Sequence, residues 1–288
     1  MEFKKVGFIG TGVMGSSMAS HLMTTGCEMY VYNRTKSKTD LLVSKGAIFY
    51  SSVEELARTC DIIFSIVGFP SDVEDVIYNK VLDNAKEGTV VIDMTTSEPT
   101  LAKRIYEKAK SKGIFSLDAP VTGGDVGAKN GTLAIFVGGD KNIYEKVLPF
   151  FEKMGKNIAY MGNAGSGQHA KMANQISIAA GIVGTCETLI YAKNAGLDLD
   201  EVIRMVGSGS AASWQINNMG PRIVKGDFNA GFFIKHFIKD LKIALEECER
   251  MKIKLEGLEL AYSLYKRAEE KGYENLGTQG LYKLFDEK

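Results

Sequence analysis

Apolar residues in the first half of the chain fall in short, near-continuous runs: Val6 to Ile9, Asp61 to Val67, Thr89 to Asp93, Ile114 to Asp118 and Thr132 to Val137. Between them lie segments with helical spacing, at Lys36 to Lys45, Val53 to Thr59, Ser71 to Asn79, Pro99 to Lys112 and Asn142 to Met154. A strand buried on both faces reads as a continuous apolar run, and strands alternating with helices make a parallel sheet. The pattern therefore predicts an α/β unit over residues 1–163, a doubly wound, mostly parallel sheet. Beyond Gly162 the period changes. An apolar-rich stretch from Gln168 to Ala195 is followed by helical segments at Leu199 to Val206, Ala211 to Asn218, Phe232 to Met251 and Gly257 to Glu270. An all-helical domain over 164–288 is expected, with a long bridging helix at about 168–195.

The first apolar run leads into Gly10-Thr11-Gly12-Val13-Met14-Gly15, and Val13, Met14, Met18 and Leu22 continue it at helical spacing. Strand, tight turn and helix are the setting in which G-x-G-x-x-G marks a dinucleotide site. The first glycine permits the turn, the second admits a pyrophosphate, and the third lets helix meet strand. The sheet is thus expected to be of the Rossmann type.

Glu28 to Tyr32 reads as the second strand, and Asn33-Arg34-Thr35-Lys36 follows it. NAD-specific sites carry Asp or Glu at this point, on the ribose 2′-OH. A carboxylate there would repel a 2′-phosphate, whereas Arg34 can grip one and Thr35 can donate to it. NADP(H) is favoured, with NAD(H) as the alternative. Ligands of such sheets bind beyond the carboxyl ends of the strands, which points to Val67 and Gly68, Met94 to Thr96, and Ala119 to Gly124.

Composition narrows the class. The chain has 288 residues, enough for two domains, and its 35 basic residues balance 35 acidic ones, so neither nucleic acid nor another polyanion is an expected partner. Cys27, Cys60, Cys186 and Cys248 are scattered, without metal-ligand or disulfide spacing, and read as buried or half-buried thiols in a reducing compartment. No metal is expected. The first strand begins within a few residues of Met1, so no signal peptide is expected, and no membrane span is expected because no apolar run approaches the roughly 20 residues that one needs. A cytoplasmic protein is expected.

Gly167-Gln168-His169-Ala170-Lys171-Met172-Ala173-Asn174 opens the long helix, and positions 167, 171 and 174 share a face. The glycine is read as leaving that face open to a ligand, beside a cation and an amide. Lys239-Asp240 interrupts an apolar helical pattern of Phe232, Phe233, Phe237, Leu241 and Ala244, either as a structural pair or as part of a site.

Taken together, these residues resemble the β-hydroxyacid dehydrogenases, the group containing 3-hydroxyisobutyrate dehydrogenase, tartronate semialdehyde reductase and glyoxylate/succinic semialdehyde reductase. The resemblance spans essentially the whole chain and rests on four motifs in order: Phe8 to Gly15, Asp118 to Gly124, Gly167 to Asn174, and Lys239 to Ala244. It implies that Lys171 protonates the developing alkoxide during reduction and that Asn174 holds the substrate. Thr122, with the backbone at Gly123 and Gly124, would receive a substrate carboxylate. Thr96 would lie near the nicotinamide, Lys239 would meet the cofactor, and Phe232 and Asp240 would close the site from the helical domain. The family usually has Ser where this chain has Thr122, so the added methyl is expected to narrow the pocket.

A positioned ammonium suits hydride transfer to a carbonyl, which leaves negative charge on oxygen. Glycine N–H groups and a hydroxyl suit a small carboxylate. The expected activity is NAD(P)-dependent interconversion of a small anionic aldehyde and its hydroxyacid. The alternatives are a non-catalytic NADP-binding scaffold and a 6-phosphogluconate dehydrogenase-like enzyme. The first would not need Lys171, and the second carries an extended carboxyl-terminal helical region that a chain of this length is expected to lack. Imine reductases generally replace the lysine. The long helix and the helical half could bury a protomer interface, so a homodimer or homotetramer is expected.

Overall fold

The computed structural model describes residues 3–286. In chain order the first part comprises β1 (Lys5–Ile9), α1 (Val13–Met23), β2 (Glu28–Tyr32), α2 (Asp40–Ser44), β3 (Ile48–Phe49), α3 (Val53–Thr59), β4 (Ile62–Ser65), α4 (Pro70–Val73), α5 (Leu82–Asn84), β5 (Val90–Asp93), α6 (Pro99–Ser111), β6 (Phe115–Asp118), β7 (Val121–Thr122), α7 (Gly124–Asn130), β8 (Leu133–Gly139), α8 (Lys141–Met154) and β9 (Gly155–Gly162). A π-helical run, Glu74–Val81, joins α4 to α5, so the single helix predicted at 71–79 is longer and partly wider in its turns.

The strands form one sheet in the order β3-β2-β1-β4-β5-β6-β8-β7, with β9 also paired to β8. Pairings from β3 through to β6 are parallel, and β8 runs antiparallel to β6 and β7. The predicted doubly wound, mostly parallel sheet is therefore the one observed. Continuous apolar runs are explained by burial on both faces. Val6, Phe8, Ile62, Phe64, Val90 and Ile92 enter one core with Met18, Leu22 and Phe151. Their alternating neighbours Ile9, Ile63 and Val91 enter another with Leu56, Ile77 and Ile105.

Three strands escaped the sequence reading. The strands β3 and β7 are two residues long, and the edge strand β9 leaves much of its length in solvent. None offers the apolar run that a central parallel strand must. Chain order reverses between β1 and β4, placing the switch point of the sheet at the loops that follow them.

By its internal contacts the chain divides into two units, up to Lys171 and from Met172 onward. The helix α9 (Ser166–Asn194) belongs to both; then come α10 (Leu199–Ser208), α11 (Trp214–Asn218), α12 (Gly220–Val224), α13 (Ile234–Met251), α14 (Glu256–Glu270) and α15 (Tyr282–Phe285). The second unit is helical around a core that includes Ile182, Cys186, Leu189, Phe237, Leu241 and Tyr265. The helix predicted from Ala211 starts later because Ser213 Oγ accepts from the Ile216 amide, and such a cap fixes the first turn. The short helices α12 and α15 were missed for want of periodic length.

One expectation is corrected. By length and composition alone, α9 is apolar enough to cross a membrane. Its small and weakly polar residues hide that average from a search for unbroken apolar runs. Ala179, Ile182, Cys186 and Leu189 on this helix are nevertheless buried within the second unit, as in the core helix of a folded domain.

Candidate active site

The glycine turn after β1 has a different reason for each of its glycines. Gly10 has φ +94°, and a Cβ there would lie 2.1 Å from Ile66 O, in the loop after β4. A Cβ on Gly15 would lie 1.9 Å from Gly10 O, so only glycine lets α1 start this close to β1. Around Gly12 nothing lies within 4 Å of such a Cβ. That open position is where a pyrophosphate would approach the backbone. Val13, the first residue of α1, is 74% exposed, and Met14 is half-buried. Thr11 Oγ1 is buried with no hydrogen-bond partner, and a buried hydroxyl without a partner is one a ligand can satisfy. The loop fits a dinucleotide.

At the end of β2, Asn33 Oδ1 accepts from the Thr11 amide at 3.1 Å and Asn33 Nδ2 donates to Thr35 O at 2.9 Å. Asn33 thus ties the second-strand loop to the glycine loop. The Arg34 side chain is 88% exposed, 3.6 Å from Asp72 Oδ1, and Thr35 is exposed beside it. Asp72 was not singled out from the sequence, because it reaches this corner from α4 rather than from the second strand. Half-buried Val67 and Gly68 follow β4, and the Val67 amide donates to Thr95 Oγ1 at 3.0 Å.

Thr96 lies half-buried in the loop after β5. Thr122 ends β7, and Gly123 and Gly124 follow with φ of +129° and +64°, a turn that suits glycine. Nothing crowds a Cβ on Gly124. The turn leads into α7, whose far end meets His21 Nε2 through the carbonyls of Ala128 and Lys129.

Lys171 is only 6% exposed. The start of its helix is fixed to the sheet: Asp118 Oδ1 accepts from the Gly165 amide at 2.7 Å and Asp118 Oδ2 from the Gln168 amide at 2.9 Å. Burial pushes the Asp118 carboxyl up to about 6, partly offset by those two amides. The expectation that Gly167 leaves a face open to ligand is corrected here. A Cβ on Gly167 would lie 2.4 Å from Phe136 O and 2.6 Å from Asp118 O. The glycine instead lets the helix press against the strands.

In the second unit, one chain of side chains gathers the remaining candidates. Asn174 Nδ2 donates to Gln175 Oε1 at 2.8 Å, and Gln175 Nε2 donates to Asp240 Oδ2 at 2.6 Å. Lys239 Nζ stands 3.0 Å from Asp240 Oδ1. Asp240 and Gln175 are each 1% exposed, and a carboxylate is rarely buried so deeply unless paired. Gln175 directly follows the motif from Gly167 to Asn174 and was not singled out. A polar residue at a core position of a long helix was its signal. Phe232 is half-buried before α13, 5.9 Å between ring centres from Phe237.

Residues 5–162 match the family model described as the NAD binding domain of 6-phosphogluconate dehydrogenase. Residues 165–285 match the model described as NAD-binding of NADP-dependent 3-hydroxyisobutyrate dehydrogenase. An uncharacterized oxidoreductase of Bacillus subtilis is 53% identical, over 98% of this chain and 99% of its own length. A probable mitochondrial 3-hydroxyisobutyrate dehydrogenase-like protein of Arabidopsis thaliana is 48% identical, over 96% of this chain and 84% of its own. The solved 3-hydroxyisobutyrate dehydrogenase of Mycobacterium tuberculosis, with L-serine, superposes with a TM-score of 0.91 at 25% identity, covering 99% of this chain and 100% of that one.

Proposed function

This chain belongs to the β-hydroxyacid dehydrogenase family, and from that premise we propose how it interconverts a small carboxylate-bearing aldehyde and its hydroxyacid with NAD(P). NADP(H) is the favoured cofactor, with NAD(H) as the alternative. The glycine loop would hold the cofactor by its pyrophosphate, and the cofactor would supply the hydride.

Lys171 is the acid/base. In reduction its ammonium stabilises the charge that develops on the carbonyl oxygen and gives up a proton to it; in oxidation the amine takes the hydroxyl proton back. The Thr122 hydroxyl and the Gly123 and Gly124 backbone bind the substrate carboxylate. Asn174, Phe232 and Asp240 are assigned to the substrate. Thr96 is assigned to substrate and nicotinamide, and Lys239 to the cofactor with Gly10 to Gly15, Asn33 to Thr35, Val67 and Gly68. The observation that carries this reading is the lysine held 6% exposed, one turn beyond a helix start fixed by Asp118. A solvated surface lysine would need no such anchorage.

Placement in the cytoplasm is supported by Cys27, Cys60, Cys186 and Cys248, all free thiols. A homodimer or homotetramer is supported by Tyr191 at 76%, Met205 at 59% and Leu197 at 53% exposure around one apolar groove of the second unit. Light scattering on the purified protein tests the assembly. Glyoxylate and small semialdehydes assayed with NADPH and NADH test the activity: at least one anionic aldehyde is turned over with NADPH, and failure of all of them would overturn the reading.

A further inference from the structure

Gln168 is an amide side chain with no exposure at all, in the first unit. It sits three residues before Lys171, and so one turn earlier on the same face of α9. Both ends of its amide are used by one loop. The Ser97 amide donates to Gln168 Oε1 at 2.9 Å, and Gln168 Nε2 donates to Thr95 O at 2.7 Å. The two partners flank Thr96. The Gln168 backbone amide meanwhile donates to Asp118 Oδ2. One residue therefore joins the first turn of the helix that carries Lys171 to the loop that carries Thr96.

Fixing two backbone positions on either side of one residue leaves that residue little freedom to move. A primary amide is the side chain that offers an acceptor and a donor at its tip. An apolar isostere would leave the buried Ser97 N–H and Thr95 C=O unpaired. The loop is held from its other side as well, because Asp93 Oδ1 accepts from the Thr95 amide at 3.1 Å and Thr95 Oγ1 accepts from the Val67 amide.

We propose that Gln168 is a positioning residue, whose side-chain amide sets the placement of Thr96 relative to Lys171. This rests on the reading of Lys171 as acid/base and Thr96 as a neighbour of the nicotinamide. Hydride donor and proton donor must meet the same carbonyl group, and misplacement by about 1 Å can cost on the order of 100-fold in rate. Gln168 touches neither substrate nor cofactor in this assignment and acts through the two groups it spaces.

The test uses the full-length protein with Gln168→Met, Gln168→Glu and Lys171→Ala. Gln168→Met removes both bonds at nearly constant volume. Gln168→Glu keeps the acceptor for Ser97 and sets a carboxylate oxygen against Thr95 O. Active sites are counted by NADPH fluorescence titration, so that kcat is read per binding site and partial misfolding drops out. For both Gln168 variants kcat falls by about 10- to 100-fold, KM for the aldehyde moves by less than about 3-fold, and the primary isotope effect with deuterated NADPH rises. In ligand-free protein, hydrogen exchange at the Ser97 amide accelerates in Gln168→Met, a readout independent of turnover. A role confined to stability would instead lower the melting temperature and the number of sites, while leaving kcat per site and the isotope effect unchanged, and that result overturns the proposal. So does Ser97 exchange that stays slow in Gln168→Met. If Lys171→Ala itself turns over near the wild-type rate, the acid/base reading has failed. If Lys171→Ala is impaired and the Gln168 variants are not, this inference alone has failed.

Discussion

The backbone amide of Gln168 donates to Asp118 Oδ2 at 2.9 Å, deep between the end of β6 and the first turn of α9. Two amides share this carboxylate, since Gly165 donates to its other oxygen. Asp118 is 5% exposed, and its desolvation outweighs both amides, lifting its carboxyl to about 6 from an ordinary 3.8.

That shift predicts a pH signature. The folded protein holds the Asp118 proton more tightly than the unfolded chain does. The contribution is therefore fully present below about pH 4 and is lost as pH rises through about 6. At about 1.4 kcal/mol per unit, the loss is on the order of 3 kcal/mol. Asp118→Asn has no such titration. Chemical denaturation of wild type and Asp118→Asn between pH 4 and 7.5 should show the wild-type advantage shrinking as pH rises. A constant gap across that range would mean the carboxyl is not shifted.

Lys171→Ala should lower kcat by about 10²–10⁴, the usual worth of a positioned acid/base, with NADPH affinity little changed. The motive is the burial of the lysine beside a fixed helix start. Single-turnover rates and an NADPH titration on the same preparation check it. Turnover within a few-fold of wild type would remove Lys171 from the chemistry.

The turn at Thr122, Gly123 and Gly124 predicts selection for anionic substrates. A neutral aldehyde of matched size leaves its donors unpaired and should lose at least about 10-fold in kcat/KM. Comparing a good semialdehyde with its amide or methyl ester decides this. Equal kcat/KM for charged and neutral partners would dismiss the receptor.

Arg34 predicts the cofactor preference. A charge-assisted contact to a 2′-phosphate is worth about 1.5–3 kcal/mol; the 88% exposure of Arg34 argues for the lower end. That is roughly 10-fold in favour of NADPH, and it should weaken at high salt. Arg34→Ala should erase most of it, and Asn33→Asp should tilt the enzyme towards NADH. The ratio of kcat/KM for the two cofactors in each variant is the measurement. An NADH preference in wild type, or an unchanged ratio in Arg34→Ala, would refute the assignment.

Much of this protein was already written in local pattern. Gly10, Gly12 and Gly15 were recognisable from their spacing between a strand and a helix, although the Ile66 carbonyl that crowds Gly10 comes from the loop after β4. The continuous runs at β1, β4 and β5 announced burial on both faces, since alternate side chains there enter two different cores. The helix carrying Lys171 and Asn174 was marked by its long apolar-rich stretch. Tertiary structure alone decided what each residue of the site leans on. No local pattern shows that the space beside Gly167 is taken by Phe136 O and Asp118 O, or that Gln168 reaches Thr95 and Ser97, which lie 73 and 71 residues away in sequence. Nor could it place Asp72 beside Arg34, or join Asn174 through Gln175 to Asp240. Such partners are distant in sequence and carry no periodicity of their own. They meet only when the sheet and the helices have set their positions, because buried polar groups take whichever partner the surrounding packing brings within reach.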